Sequence, residues 1–172
     1  MKVAGIPDPL QLFDGWEDEK AGISKRPPTF LSDIPTYFLS NGDMAHVNSV
    51  LKDYKLGKAY EYFVSGCLKE VFYHSLSKSS LVCVLRGKCC LSQRLQDDLH
   101  DIWACIDKLD RSIKAAYCSC IAGLGQTCNH IAALLFRFEA ANRFGVSSCK
   151  LTLCAWNVPP IVKKLEPSRL SD

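Results

Sequence analysis

The sequence contains no run of roughly 18 consecutive apolar residues, which argues against a membrane-spanning helix. Its first residues, Met1-Lys2-Val3-Ala4-Gly5-Ile6-Pro7-Asp8, lack the apolar stretch of a secretory signal. It has little net charge, +3 over 172 residues, and so is not a histone-like polycation. It has no internal repeat and no low-complexity tract. It also lacks a phosphate-cradling glycine loop, a Ser/His/Asp set, and paired carboxylates with a lysine, so no catalytic centre is expected and no small-molecule substrate. What is present is a globular composition. Apolar residues make up 48% and charged residues 23%, which excludes a wholly disordered chain and suits one domain with an arm.

Cysteine is the residue in excess. There are ten: Cys67, Cys83, Cys89, Cys90, Cys105, Cys118, Cys120, Cys128, Cys149 and Cys154. Without a secretory signal the expected compartment is reducing and intracellular, the nucleus included, and a disulfide framework is not expected. The thiols should then divide between metal ligands and buried apolar fillers. Charge is also uneven: the net is −1 over residues 1–60, −1 over 61–110 and +5 over 111–172. A basic final third permits an anionic partner without demanding one.

Residues 1–30, with Pro7, Pro9, Pro27, Pro28 and the acidic run Glu17-Asp18-Glu19, read as a flexible arm on which Phe13 or Trp16 docks against a core. Residues 31–66 read as helical. Ser32-Asp33 offers an N-cap before Ile34-Pro35, and Ser40-Asn41-Gly42-Asp43 is a turn. Val47, Val50, Leu51 and Tyr54 repeat at helical spacing, with a break at Gly57 and a stop at Gly66. Four strands are then expected: Glu70–Leu76 and Leu81–Gly87 as a hairpin, Ile102–Asp107, and Ile113–Ser119. Residues 91–101, including His100 beside Asp97, Asp98 and Asp101, read as a solvated polar loop or single helical turn. Asn129–Arg143 is a helix with the stripe Ile131, Leu134, Leu135, Phe138. Ala132, Ala133, Phe136 and Ala140 add burial on more than one side.

One constellation carries chemistry. Cys118, Cys120, Cys128 and His130 form C-x-C-x7-C-x-H. Three thiolates and one imidazole suit tetrahedral zinc, with Zn–S about 2.3 Å and Zn–N about 2.0 Å. Cys118 and Cys120 lie two apart at a strand end and leave on one face. Gly123 and Gly125 allow a tight return. Cys128 and His130 open the last helix, where unpaired amides favour a thiolate. A four-ligand set leaves no open position for water, so the expected role is structural: one Zn²⁺ clamping a hairpin to a helix N-terminus.

This C-x-C…C-x-H string resembles the SWIM-type zinc finger of chromatin-remodelling ATPases, MuDR-like transposases and ubiquitin-pathway proteins. The likeness extends to Ala59-Tyr60-Glu61-Tyr62-Phe63-Val64-Ser65-Gly66, to Arg86-Gly87-Lys88-Cys89, to Cys128-Asn129-His130-Ile131-Ala132-Ala133-Leu134-Leu135-Phe136 and to Cys149-Lys150-Leu151-Thr152-Leu153-Cys154-Ala155-Trp156-Asn157. Together these are similar to the SWIM region of animal, transposon-associated proteins, many of which continue into an exonuclease domain of the YqaJ viral-recombinase type. Nothing in these residues resembles that domain's acidic/lysine cluster. SWIM domains in general imply DNA or protein binding.

Of the other cysteines, Cys67, Cys83 and Cys105 fall in apolar runs and read as core. Cys89-Cys90 reads as structural, and Cys149 and Cys154 as reduced thiols without metal partners. Trp156 reads as a tail aromatic packed on the domain. The expected architecture is α+β: a 1–30 arm, a 31–66 helical segment, a 67–145 zinc-binding domain with finger core 112–143, and a 146–172 tail. It has a small antiparallel sheet of about four strands and a zinc-anchored C-terminal helix. The expected function is a non-catalytic interaction module. The alternative is the targeting half of a YqaJ-like recombinase nuclease whose catalytic domain lies elsewhere. Binding to DNA would use Arg111, Lys114, Arg137, Arg143, Lys150, Lys163, Lys164 and Arg169. It would be weak and salt-sensitive, with dissociation constants of roughly 10⁻⁴–10⁻⁶ M. A protein partner would use Trp16 or Trp156 as an aromatic anchor.

Overall fold

The computed structural model describes residues 6–42, 44, 47–48, 57–90, 99–122 and 126–144. The helical positions Val50, Leu51 and Tyr54, the glycines Gly123 and Gly125, Asp97 and Asp98, and the tail with Cys149, Cys154 and Trp156 lie outside the described residues.

In chain order the elements are β1 (Glu17–Asp18), α1 (Glu19–Ile23), α2 (Asp33–Asn41), α3 (Lys58–Val64), β2 (Leu68–His74), β3 (Val82–Cys90), β4 (Leu99–Asp107), β5 (Ile113–Cys118) and α4 (Asn129–Phe144). The strands form one sheet in the order β1-β2-β3-β4-β5. Every pairing is antiparallel. The fold is therefore α+β.

Local chemistry explains the helix ends. The Asp33 carboxylate accepts the Phe30 amide at 2.8 Å, and Pro35 occupies the first turn of α2, where its missing N–H costs nothing. Gly57 caps α3 in extended conformation. The helix stops at Gly66, whose φ of +76° suits a residue without Cβ.

The core lies between the inner sheet face and α4. Tyr73, Leu85, Ile102, Ala104, Ile106 and Ala116 meet Ile131, Leu134, Leu135 and Phe138. The helix is buried on a second side because α3 packs there: the Tyr60 and Phe136 rings lie 6.3 Å apart, edge to face. Ala132, Ala133 and Ala140 are accordingly buried.

The segment expected to be a flexible arm contributes β1 and α1, so the sheet has five strands where about four were expected. Farther back, Ile6 and Trp16 pack on the outer sheet face against Val84, Trp103, Cys105 and Ala115. Trp16 donates its Nε1–H to the Leu12 carbonyl at 2.8 Å, and the Arg86 guanidinium lies 4.5 Å over its ring. Half-buried Trp16 thus ties this segment to the sheet. Phe13 remains 87% exposed.

β3 and β4 are longer than expected. The ladder continues through Lys88↔Asp101, Cys89↔His100 and Cys90↔Leu99. His100 and Asp101 therefore belong to a strand and not to a polar loop; Lys88 holds Asp101 across the ladder at 3.6 Å. No disulfide framework is expected from the sequence, but one bridge is present. Cys67 and Cys90 form a disulfide with Cα atoms 5.1 Å apart, inside the range that a bridge spans. The Cys90 amide donates to the Cys67 carbonyl at 3.1 Å, which brings the two backbones together. Cys83, Cys89 and Cys105 are buried free thiols.

Candidate metal centre

Cys118 ends β5 on the inner face, opposite Ile102 and 1% exposed. Ser119 stays tied to β4, donating its amide to the Asp101 carbonyl at 3.0 Å. The strand alternation is thereby kept, and Cys120 returns to the same side as Cys118. Cys128 immediately precedes α4. Its carbonyl accepts the Ala132 amide, and its sulfur accepts the Ile131 amide, so the thiol fills the place of an N-cap side chain. His130 is the second residue of α4. The Tyr37 hydroxyl of α2 donates to the Gln126 carbonyl at 2.9 Å, which holds the segment entering the helix.

These elements converge. One ligand atom each from Cys118, Cys120, Cys128 and His130 lies within 4.8 Å of every other. His130 Nδ1 is 3.6 Å from Cys118 Sγ and 3.9 Å from Cys128 Sγ. Tetrahedral bonds of about 2.0–2.3 Å place neighbouring donors about 3.5–3.8 Å apart, so both separations are close to those of a coordination shell. Cys118, Cys128 and His130 are buried and Cys120 is half-buried. The four sequence-derived ligands are therefore brought together, and the set can hold a metal ion.

The electrostatics agree with the donor chemistry. Cys118 and Cys128 are hydrogen-bonded to each other and shift in opposite directions. Cys128 is the thiol held low, by the hydrogen bond from Cys118 first and then by those from His130 and the Ile131 amide. Cys118 is pushed up by that same shared bond and by burial. The direction at Cys128 favours the thiolate form that a metal ligand needs, at the positive end of α4.

Three neighbours of the site come from elsewhere in the chain. Tyr62 of α3 stacks on His130 with centroids 5.1 Å apart and planes 23° apart. The His100 ring of β4 lies 5.0 Å from that of His130, tilted by 50°. Cys89, opposite His100 in the ladder, is raised to about 12 by burial first and then by nearby Cys128, so it stays a neutral thiol beside the cluster. Sequence spacing gives no signal for these three, because each reaches the site from a different element.

The candidate DNA contacts are differently placed. Arg137 is paired with Glu19 at 2.6 Å, Lys114 with Asp110 at 2.8 Å, and Arg143 with Glu139 at 3.2 Å. Arg111 lies 5.5 Å over the Phe30 ring. Lys150, Lys163, Lys164 and Arg169 are outside the described residues. No helix among the described residues is long and apolar enough to cross a membrane. The chain matches no family model, no curated protein and no solved structure.

Proposed function

We propose that this chain is a zinc-stabilised, non-catalytic interaction module of the SWIM type. The observation that carries the reading is the convergence of three thiols and one imidazole within 4.8 Å at a strand end and a helix start. That donor set supports zinc: thiolate disfavours the hard cations, and a tetrahedral four-ligand shell of three sulfurs and one imidazole suits a structural zinc ion. It leaves no coordination position for a water nucleophile, which is why the module is read as non-catalytic. The C-x-C…C-x-H string and the flanking segments supply the SWIM resemblance.

A protein is the better-supported partner. Arg137, Lys114 and Arg143 are engaged by carboxylates of the same chain, so they offer little to phosphates. An exposed apolar side chain lies at the site's edge instead: Ile121, next to Cys120, is 98% exposed. The test is capture of partners by zinc-loaded and chelated protein, alongside titration of duplex DNA at two salt concentrations. Chelator-sensitive protein capture with no DNA binding at low salt is expected. Salt-dependent DNA binding that is lost when Lys163 and Lys164 are replaced by Glu would reverse the choice of partner.

A further inference from the structure

The strongest unexplained feature of the molecule is one atom. His130 is 9% exposed, its Nδ1 faces the thiols, and its buried Nε2 has no hydrogen-bond partner among the described residues. An imidazole that binds a metal through Nδ1 must carry its proton on Nε2, and a buried N–H without an acceptor is destabilising. Metal-binding histidines nearly always give that second N–H to an outer partner, which fixes the ring and raises its basicity.

Two rings adjoin His130, and they differ in what they offer. Tyr62 lies nearly parallel over the ring face, whereas an N–H points out along the ring plane. His100 is tilted by 50° at a centroid distance of 5.0 Å, across which imidazole nitrogens reach hydrogen-bond distance once the rings turn edge to edge. The other end of His100 is already engaged: its Nδ1 lies 3.3 Å from Ser119 Oγ. Ser119 is held in turn by two bonds to Asp101, its amide to the Asp101 carbonyl at 3.0 Å and its Oγ accepting the Asp101 amide at 3.1 Å.

The geometry points to His100 as the outer-shell acceptor for metal-bound His130, with Ser119 fixing its tautomer. A hydroxyl oxygen has two lone pairs. Ser119 Oγ takes the Asp101 amide on one and the His100 Nδ1–H on the other, which leaves His100 Nε2 bare to accept from His130 Nε2–H. His100 is a positioning residue: it touches the ligand and not the metal. The consequence is that β4 joins β5 and α4 in defining the metal site, through a residue outside the C-x-C…C-x-H motif.

This inference rests on the zinc reading, and the two fail differently. Zinc affinity is measured by chelator competition on the full chain with zinc alone as probe. His100→Ala is expected to weaken it by about 10–100-fold, the usual cost of losing an outer-shell partner. His100→Gln, whose amide oxygen stands near the position of Nε2, is expected to recover most of the loss, which a merely structural role would not do. Long-range ¹H–¹⁵N correlation on zinc-loaded wild type is independent of whether the variants fold. It should show His130 metal-bound at Nδ1 and protonated at Nε2, and His100 protonated at Nδ1. Unchanged affinity in His100→Ala, equal loss in Ala and Gln variants, or zinc on His130 Nε2 would overturn this assignment while leaving the zinc site standing. A wild-type chain that binds no zinc would overturn both.

Discussion

Arg137 of α4 holds Glu19 of α1, 118 residues away in sequence, through Nε at 3.1 Å to both carboxylate oxygens and Nη2 at 2.6 Å. Its remaining nitrogen, Nη1, donates to the carbonyls of Leu68 and Lys69 at 3.1 and 2.9 Å, beyond the point where β1 stops pairing with β2. One guanidinium thus ties the N-terminal segment, the sheet edge and the central helix. Glu19 is buried and Arg137 largely so, at 7% and 13% side-chain exposure. Removing one partner leaves a charge uncompensated, at a cost of about 3–5 kcal/mol. Glu19→Ala should therefore lower urea-unfolding stability by about that amount. A loss below about 1 kcal/mol would mean that the pair is solvated and the segment loosely attached.

A second prediction concerns the same N-terminal segment at Gly15. Its φ is +83°, and a Cβ built there would lie 2.7 Å from His74 Nε2. That nitrogen is 2.9 Å from the Asp14 carbonyl, while His74 Nδ1 accepts the Leu76 amide at 2.8 Å, so the ring cannot turn away without losing a bond. Gly15→Ala should detach residues 6–16 from the outer sheet face. A left-handed backbone alone costs a residue with Cβ about 1–2 kcal/mol. Hydrogen exchange should accelerate at Trp16 and His74 while the β3–β4 ladder stays protected. Unaltered exchange at Trp16 would contradict the docking.

Acid sensitivity should reside in the β4–β5 turn. Asp110 is lowered to about 2, by the Lys114 ammonium first and then by the Ser112 hydroxyl and amide. A carboxyl whose folded value lies below its unfolded value stabilises above the unfolded value, about 4, and loses that contribution as pH falls through about 2. In melts taken from pH 4 down to pH 2, Asp110→Asn should show a shallower decline than wild type. Parallel declines would show that this turn contributes nothing to acid unfolding.

The legible parts of the fold were those with enough repeats of one period. Sixteen residues of α4 carry several turns of apolar stripe, and its start at Asn129 was visible. β2 to β5 were visible as β-rich runs between turns. β1 was not, because two residues, both acidic, cannot display alternation. The added lengths of β3 and β4 were hidden because His100 and Asp101 are polar and find their partners only across the ladder. Cys67 and Cys90 are 23 residues apart with no motif to join them; only the pairing of β2 and β3 brings them together. The metal ligands were legible because each pair is local, two residues apart at a strand end and at a helix start. Tyr62, His100 and Cys89 were not, since they arrive from α3, β4 and β3.

The zinc proposed on Cys118, Cys120, Cys128 and His130 is one that the fold requires. Structural zinc in small fingers contributes apparent energies of about 10–16 kcal/mol, against total stabilities of about 5–15 kcal/mol for whole domains. Elemental analysis of purified wild type and Cys128→Ser, paired with thermal melts, tests this directly. We expect one zinc per chain in wild type, and in the variant loss of the metal with unfolding of at least residues 112–143. Wild type without zinc, or a variant with unchanged metal content and melting, would rule out a structural zinc at these four residues.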